Sequence, residues 1–166
     1  MKRRTVAIIV CSVAVVACLV WARAEGPLRS PEAAFEDFTK AKDRAEDQLT
    51  DPLVLAGPRV RPLVHAAVKD RAFQRRRYAI GYLGCAKYAA ATPTFRAILT
   101  DESEKDYFRA DALEALWLIG HADALRLADG YSGRADSLGQ VARGLLAGTW
   151  PQSCRSWRDA FLHTHQ

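Results

Sequence analysis

The segment Pro62–Asp70 (PLVHAAVKD) recurs 31 residues later as Pro93–Asp101 (PTFRAILTD). After each copy, a polar turn leads into a second matched segment at an offset of 33 residues, in which three positions of the first copy (Arg76, Ala79, Leu83) correspond to three of the second (Arg109, Ala112, Leu116). A tandem period in this range is typical of stacked helical hairpins. The sequence therefore predicts an all-α fold, a short α-solenoid whose stacked hairpins present a surface to a partner.

Helical periodicity and start signals extend this prediction along the chain. Ser30-Pro31 is a helix start, and the apolar positions Phe35, Phe38, Ala41, Ala45 and Leu49 share one face, which suits a capping helix. No stretch has the period-2 alternation of a strand. The other predicted elements are a short helix, a bend and a helix over 52–70, then helices over 73–88, 92–100, 107–120, 121–129, 137–147 and 153–166.

Two glycines lie inside the predicted 73–88 helix. Gly81 and Gly84 lower its intrinsic stability, because glycine loses more backbone freedom in a helix than other residues do. Small residues also let two helices approach closely, so we expect both glycines to face a neighbouring helix.

Residues 1–24 have the pattern of an export signal. The positively charged Met1–Arg4 precedes 17 uncharged residues, Thr5–Trp21, and Ala22-Arg23-Ala24 offers a cleavage site. The segment is a signal peptide or a membrane anchor, and Val15–Cys18 also resembles a lipobox, which makes lipidation of Cys18 a third alternative. Each alternative exports a linker (25–30) and a domain (31–166) to the periplasm or the extracytoplasmic face of the membrane.

This leader accounts for most of the net positive charge of the chain. It holds four of the 24 basic residues and no acidic residue, which leaves 20 basic against 19 acidic in the remainder. A domain with a formal charge near +1 gives no electrostatic argument for nucleic acid, and we expect no nucleic-acid partner.

Cysteine use is sparse. Cys11 and Cys18 lie in the leader, which leaves Cys85 and Cys154 in the domain. An oxidising compartment would allow one disulfide between them. The alternative is a buried apolar Cys85 and a free thiol at Cys154, and spacing in the sequence does not distinguish the two.

The repeated unit resembles a HEAT-like repeat of the short type, which is also found in phycobilin lyases. Arg109–Gly120 (RADALEALWLIG) carries the motif's Arg, Ala, Ala-Leu and Gly positions, and the resemblance is clearest over 58–130. The resemblance implies a ladder of acidic and basic residues that ties successive hairpins together, formed here by Asp70, Arg76, Asp101 and Arg109. It implies little about function, because such repeats bind unrelated partners.

One helix face carries a candidate binding surface, which we call the basic ridge. Arg61, His65 and Lys69 follow one another at four-residue steps, and Arg96 matches His65 in the next repeat. The ridge would receive an acidic protein segment, an anionic glycan or a lipid head group. An ordinary solvated helix face has the same spacing.

Aromatic residues and histidines give further candidates. Trp117 replaces a residue that is usually small in the repeat, so it marks either a binding hot spot or the core. Trp150 and Trp157 suit the filling of the solenoid end. His163 and His165 form a weak metal pair without a third ligand nearby.

Catalytic motifs are missing from the sequence. It has no phosphate-binding glycine loop, nucleophile elbow, zinc-protease motif or metal-spaced cysteine pair. We therefore expect a non-catalytic interaction scaffold at the cell envelope, without a cofactor or metal. The alternatives are a lyase-like protein or enzyme accessory that handles a tetrapyrrole, and a membrane-tethered spacer.

Overall fold

The computed structural model describes residues 30–42 and 44–150. The predicted leader with Cys18, the predicted helix 153–166, Cys154, Trp157, His163 and His165 all lie outside these ranges. No helix within the ranges is long and apolar enough to cross a membrane. The α-helices are α1 (Pro31–Lys40), α2 (Asp51–Ala56), α3 (Arg61–Val68), α4 (Arg76–Cys85), α5 (Thr92–Thr100), α6 (Asp106–Ile119), α7 (Ala124–Tyr131) and α8 (Ser137–Leu146), with 3₁₀ turns at Glu46–Gln48, Gly57–Val60 and Ala89–Ala91.

The described part of the chain contains helices and no strands, which confirms the all-α prediction. Helices α3 and α4, α5 and α6, and α7 and α8 pack as consecutive pairs. The second helices α4, α6 and α8 pack side by side, with α6 in the middle of the row, while α1 packs against both α2 and α3.

Helix α1 is shorter than the apolar spacing predicted. Ser30 caps it by accepting from the Ala33 N–H at 3.1 Å, as expected. The prediction of one continuous apolar face through Leu49 was wrong, because α1 ends at Lys40 and Ala41 has extended backbone angles. The Ala41 carbonyl accepts from the guanidinium of Arg75, and Leu49 reaches the core from a separate turn. Apolar spacing alone did not reveal this break.

Matched positions of the two repeats occupy equivalent places in the core. At matched positions, each first helix (α3, α5) fully buries two residues of its repeated segment, and each second helix (α4, α6) fully buries an Ala and a Leu. Full burial of one Val, Leu or Phe side chain contributes roughly 1.5–3 kcal/mol, so the repeated pattern is the pattern of the core. The residues, all fully buried, are Val64, Val68, Phe95, Leu99, Ala79, Leu83, Ala112 and Leu116.

The repeated arginines join the two helices of each hairpin through backbone carbonyls. Arg76 Nε donates to the Val68 carbonyl at 2.7 Å, and Arg109 Nε donates to the Leu99 carbonyl at 2.9 Å. Both guanidiniums are buried, at 3% and 5% exposure. Since the acceptors are also matched positions, the same hydrogen bond closes both hairpins.

The repeated aspartates close the turns rather than pairing with these arginines. Asp70 accepts from the Ala72 N–H at 2.8 Å, and Asp101 accepts from the Ser103 N–H at 2.9 Å. The ion pairs among the described residues do not include Asp70 with Arg76 or Asp101 with Arg109. The ladder is therefore built differently from the one that the family resemblance implies.

The longer loop of the second repeat supplies an acidic partner between hairpins. Glu104 Oε1 lies 2.7 Å from Arg76 Nη1, and their side chains are only 7% and 3% exposed. Arg71 pairs with both Asp101 and Glu104. The guanidinium of Arg76 also stacks over Phe108, 5.0 Å from the ring centroid. A buried ion pair thus fastens the first hairpin to the second.

Of the two glycines in α4, one allows a close helix contact. A Cβ on Gly84 would lie 2.8 Å from Ala115 Cα and 3.0 Å from its Cβ, so α4 and α6 meet there backbone to backbone. A Cβ on Gly81 would meet nothing within 4 Å. The expectation of close approach is confirmed for Gly84 and wrong for Gly81.

Candidate interaction surfaces

Two grooves lie on different layers of the helix stack. The α3–α5 groove lies between the turn that follows α3 and helix α5 with its following loop, and has a volume of about 360 Å³. It is lined by the basic Lys69, Arg71 and Arg76, the acidic Asp101 and Glu104, and Pro93, Thr94, Ala97 and Ile98. The α4–α6 groove, between two second helices, has a similar volume of about 360 Å³.

His65, the centre of the predicted basic ridge, bridges α3 to α5. Its Nε2 lies 2.8 Å from Thr94 Oγ1, and its ring meets Tyr88 edge-on at 5.8 Å between centroids. Burial, and then the charge of Lys69, lowers the pKa of His65 below its ordinary 6.5. His65 is therefore neutral at neutral pH, and it holds the ridge together without adding charge to it.

The other ridge residues differ in their surroundings. Arg61 is half-buried, and its charge opposes the rise that burial causes in the pKa of Tyr82. Lys69 is exposed at the end of α3. Arg96 is 47% exposed and lies 3.8 Å from the carboxylate of Asp123. The exposed cations of the ridge are therefore Lys69 and Arg96.

Trp117 is half-buried and packs against the hydrophobic core from α6. Trp117 therefore contributes to the core and is also partly accessible, so it fits neither the hot-spot nor the core alternative fully. Trp150 is half-buried in the same way and packs closely over Gly144, where an added Cβ would lie 2.6 Å from its ring. Gly144 thus makes room for the indole against α8.

The α4–α6 groove was not found from the sequence. Helix α6 contributes Asp111, Glu114 and Leu118, which are three and four residues apart and share a face. Their spacing in the sequence indicates a shared helix face. Because α6 has apolar residues on most of its sides, the sequence did not distinguish this face from the others. The other side chains that matter here are Arg77, Tyr78, Tyr82 and Cys85 of α4, with Glu46 and Val54 from the preceding segments.

Two half-buried carboxylates dominate the electrostatics of this groove. Burial raises the pKa of Asp111 to about 6, although Arg77 opposes the rise by donating from Nε at 2.9 Å. Burial also raises the pKa of Glu114, which the indole N–H of Trp150 partly offsets. Both carboxylates remain poorly solvated, so a further cationic group in the groove would be favourable.

The wall of the groove on α4 is aromatic and ends at a cysteine. The hydroxyl of Tyr82 donates to the Leu53 carbonyl at 3.2 Å, while a hydrogen bond to Glu46 raises the pKa of Tyr78. Cys85, at the end of α4, is disulfide-bonded. Its predicted partner Cys154 lies outside the described residues, so the Cys85–Cys154 pairing stays a prediction.

No protein-family model, curated protein or solved structure matches this chain. The described residues also contain no group of three or more His, Cys, Asp or Glu side chains placed to hold a metal ion. The two grooves are therefore the structural features that bear on function.

Proposed function

We propose that this protein is a non-catalytic interaction module, built as a short solenoid of HEAT-like hairpins, that binds a protein partner at the outer side of a cell membrane. Two structural features support the repeat assignment. The arginine-to-carbonyl hydrogen bonds at Arg76 and Arg109 are equivalent, and so are the aspartate-closed turns at Asp70 and Asp101. The row formed by α4, α6 and α8 is the arrangement that stacked hairpins produce.

The binding surface that we favour is the α3–α5 groove with the exposed cations of the basic ridge. The observation that carries this choice is the groove's composition: Ala97 and Ile98 give it an apolar side, and Lys69 adds a positive charge beyond the arginines that pair with Asp101 and Glu104. Arg96 lies on the same helix as Ala97 and is exposed. Cations beside an apolar cleft suit an acidic segment that also carries apolar side chains.

The envelope location rests on the sequence of the leader. Residues 1–24 combine a basic start, an uncharged apolar run and a small-residue cleavage site. Cleavage after Ala24, retention as an anchor and lipidation at Cys18 all deliver residues 25–166 to the same side of the membrane.

Affinity capture from native membranes tests this function. The bait is the full chain, and the test variant is Lys69→Gln with Arg96→Gln, which removes two exposed cations without introducing like-charge repulsion. The matched control is Lys40→Gln with Lys42→Gln, which makes the same charge change beside α1. We expect a stoichiometric partner with the wild type and the control, and its loss with the test variant.

Two results would count against the proposal. A partner that binds the test variant as well as the wild type would place the binding surface elsewhere. No stoichiometric partner on any bait, together with firm membrane attachment, would favour a tethered spacer. Circular dichroism of each variant shows whether the helices are retained.

A further inference from the structure

We propose that the α4–α6 groove is occupied by the carboxyl-terminal segment of this same chain, residues 151–166, held by a disulfide between Cys85 and Cys154. The inference does not rest on the proposed function, because it concerns contacts within the chain. Three independent observations point to it: where the described chain ends, the state of Cys85, and the chemistry of the groove.

The described chain ends at the edge of this groove. Trp150 packs over Gly144 of α8, and its indole N–H lies beside the carboxylate of Glu114. Glu114 is itself a lining residue of the groove. Residue 151 follows Trp150 directly in the chain, so no long excursion is needed for the next residues to reach the groove.

The cysteine at the other side of the groove is already bonded. Cys85 lines the groove and is disulfide-bonded, and its partner must be Cys11, Cys18 or Cys154. Cys154 comes four residues after Trp150, a stretch that spans up to about 14 Å when extended. Because Trp150 already lies at the groove, Cys154 is the partner that needs the least chain to reach Cys85.

The segment and the groove are complementary in charge. Arg155 and Arg158 provide two cations close to Cys154, and the groove offers the poorly solvated carboxylates of Asp111 and Glu114. Desolvation raises the pKa of both carboxylates, so a nearby cation would stabilise their charged forms.

The apolar parts of the segment and the groove also correspond. Trp157, Phe161 and Leu162 recur at helical spacing in the segment, and Val54 and Leu118 are apolar lining residues opposite the tyrosines of α4. Val54 is 43% exposed in the described part of the chain, so covering it would remove apolar surface from water. A helix that carries its apolar side toward α4 and α6 would do this.

If its own chain occupies the groove, the groove has a structural role and is not a site for a partner. The segment would cover the open side of α4 and α6 and leave the α3–α5 groove as the accessible one. In an oxidising compartment the disulfide would hold the segment covalently, and reduction would release it.

Disulfide mapping and proteolysis of the full chain test the proposal. Mass spectrometry of a non-reduced digest identifies the cysteine joined to Cys85. Trypsin then reports on the segment, because it cuts after Arg155 and Arg158; the exposed Lys105 serves as the reference site. We expect a Cys85–Cys154 peptide and cuts after Arg155 and Arg158 that are roughly tenfold or more slower in the wild type than in Cys154→Ser.

A second variant tests the groove without touching the segment. Asp111→Asn with Glu114→Gln removes the acidic partners and should speed cutting after Arg155 and Arg158. The control Glu32→Gln with Glu36→Gln makes the same charge change on α1 and should leave the rate unchanged. An unchanged reference rate after Lys105 shows that the fold is intact.

Three outcomes would overturn the proposal. Cys85 joined to Cys11 or Cys18 would place the segment elsewhere. A Cys85–Cys154 link between two chains, seen as a dimer without reductant, would make a second copy the occupant. Equal cutting rates in wild type, Cys154→Ser and the groove variant would show that the segment is not held.

Discussion

Two alanine substitutions one turn apart in α4 should have opposite effects on stability. At Gly81, an added Cβ meets nothing within 4 Å, so Gly81→Ala should raise the free energy of unfolding by about 0.5–1 kcal/mol through the lower backbone freedom of alanine. At Gly84, the same Cβ would lie 2.8 Å from Ala115 Cα. The neighbour is backbone, so relief requires α4 and α6 to separate.

The cost at Gly84 follows from this geometry. Overpacking of a tight contact costs about 1–3 kcal/mol. Gly84 is the second-last residue of α4, where the helical gain from alanine is smaller than in the interior. We therefore expect Gly84→Ala to lower the free energy of unfolding by about 1–2 kcal/mol.

Urea unfolding of the wild type and both variants, followed by helical circular dichroism, measures the two effects. Each variant serves as the control for the other, since both make the same chemical change in the same helix. If Gly84→Ala stabilised the protein as much as Gly81→Ala, the close packing of α4 on α6 would be refuted.

Three further predictions concern charged groups. Glu104→Gln should destabilise the fold by about 3–5 kcal/mol in urea unfolding, because it leaves the buried guanidinium of Arg76 without its counter-ion; a change below 1 kcal/mol would mean that the pair is solvated. Asp111 has a pKa near 6 in the folded state against an ordinary 3.8, so the folded state binds its proton more tightly and stability falls as pH rises from about 4 to about 6. Asp111→Asn should remove this loss, roughly 3 kcal/mol, and an unchanged pH profile would contradict it. His65 has a lowered pKa in the folded state, so the unfolded state binds its proton more tightly and stability falls as pH drops below 6.5. His65→Gln should weaken this fall. Parallel plots of unfolding free energy against pH for wild type and variant, between pH 7.5 and 5.5, would contradict the prediction.

Local signals in the sequence were sufficient for α5 and α6, whereas the helix predicted over 73–88 is shorter at both ends, at Arg76–Cys85. The helix predicted over 92–100 is α5, and that predicted over 107–120 corresponds to α6 at Asp106–Ile119. Proline near the helix start and apolar spacing are short-range properties, which is why they could be read without the fold. The repeat offset also identified the matched core positions, since equivalent units bury equivalent residues.

The candidate site depended on distances that the sequence does not contain. The partner of Arg76 is Glu104, which a two-residue longer loop brings within 2.7 Å, and the period of the repeat pointed to Asp70 instead. His65 was grouped with the cations by its spacing, but its environment is set by Thr94 on the next hairpin. The α4–α6 groove likewise arises only when two helices separated by a full repeat pack together.

The central claim, that this chain binds a protein partner through the α3–α5 groove, is tested most directly by partner recovery from native membranes. The quantity to measure is the amount of partner retained by Lys69→Gln with Arg96→Gln relative to Lys40→Gln with Lys42→Gln, at equal amounts of folded bait. We predict that the partner remains with the α1 control and is lost from the groove variant. Equal recovery on both baits would contradict it.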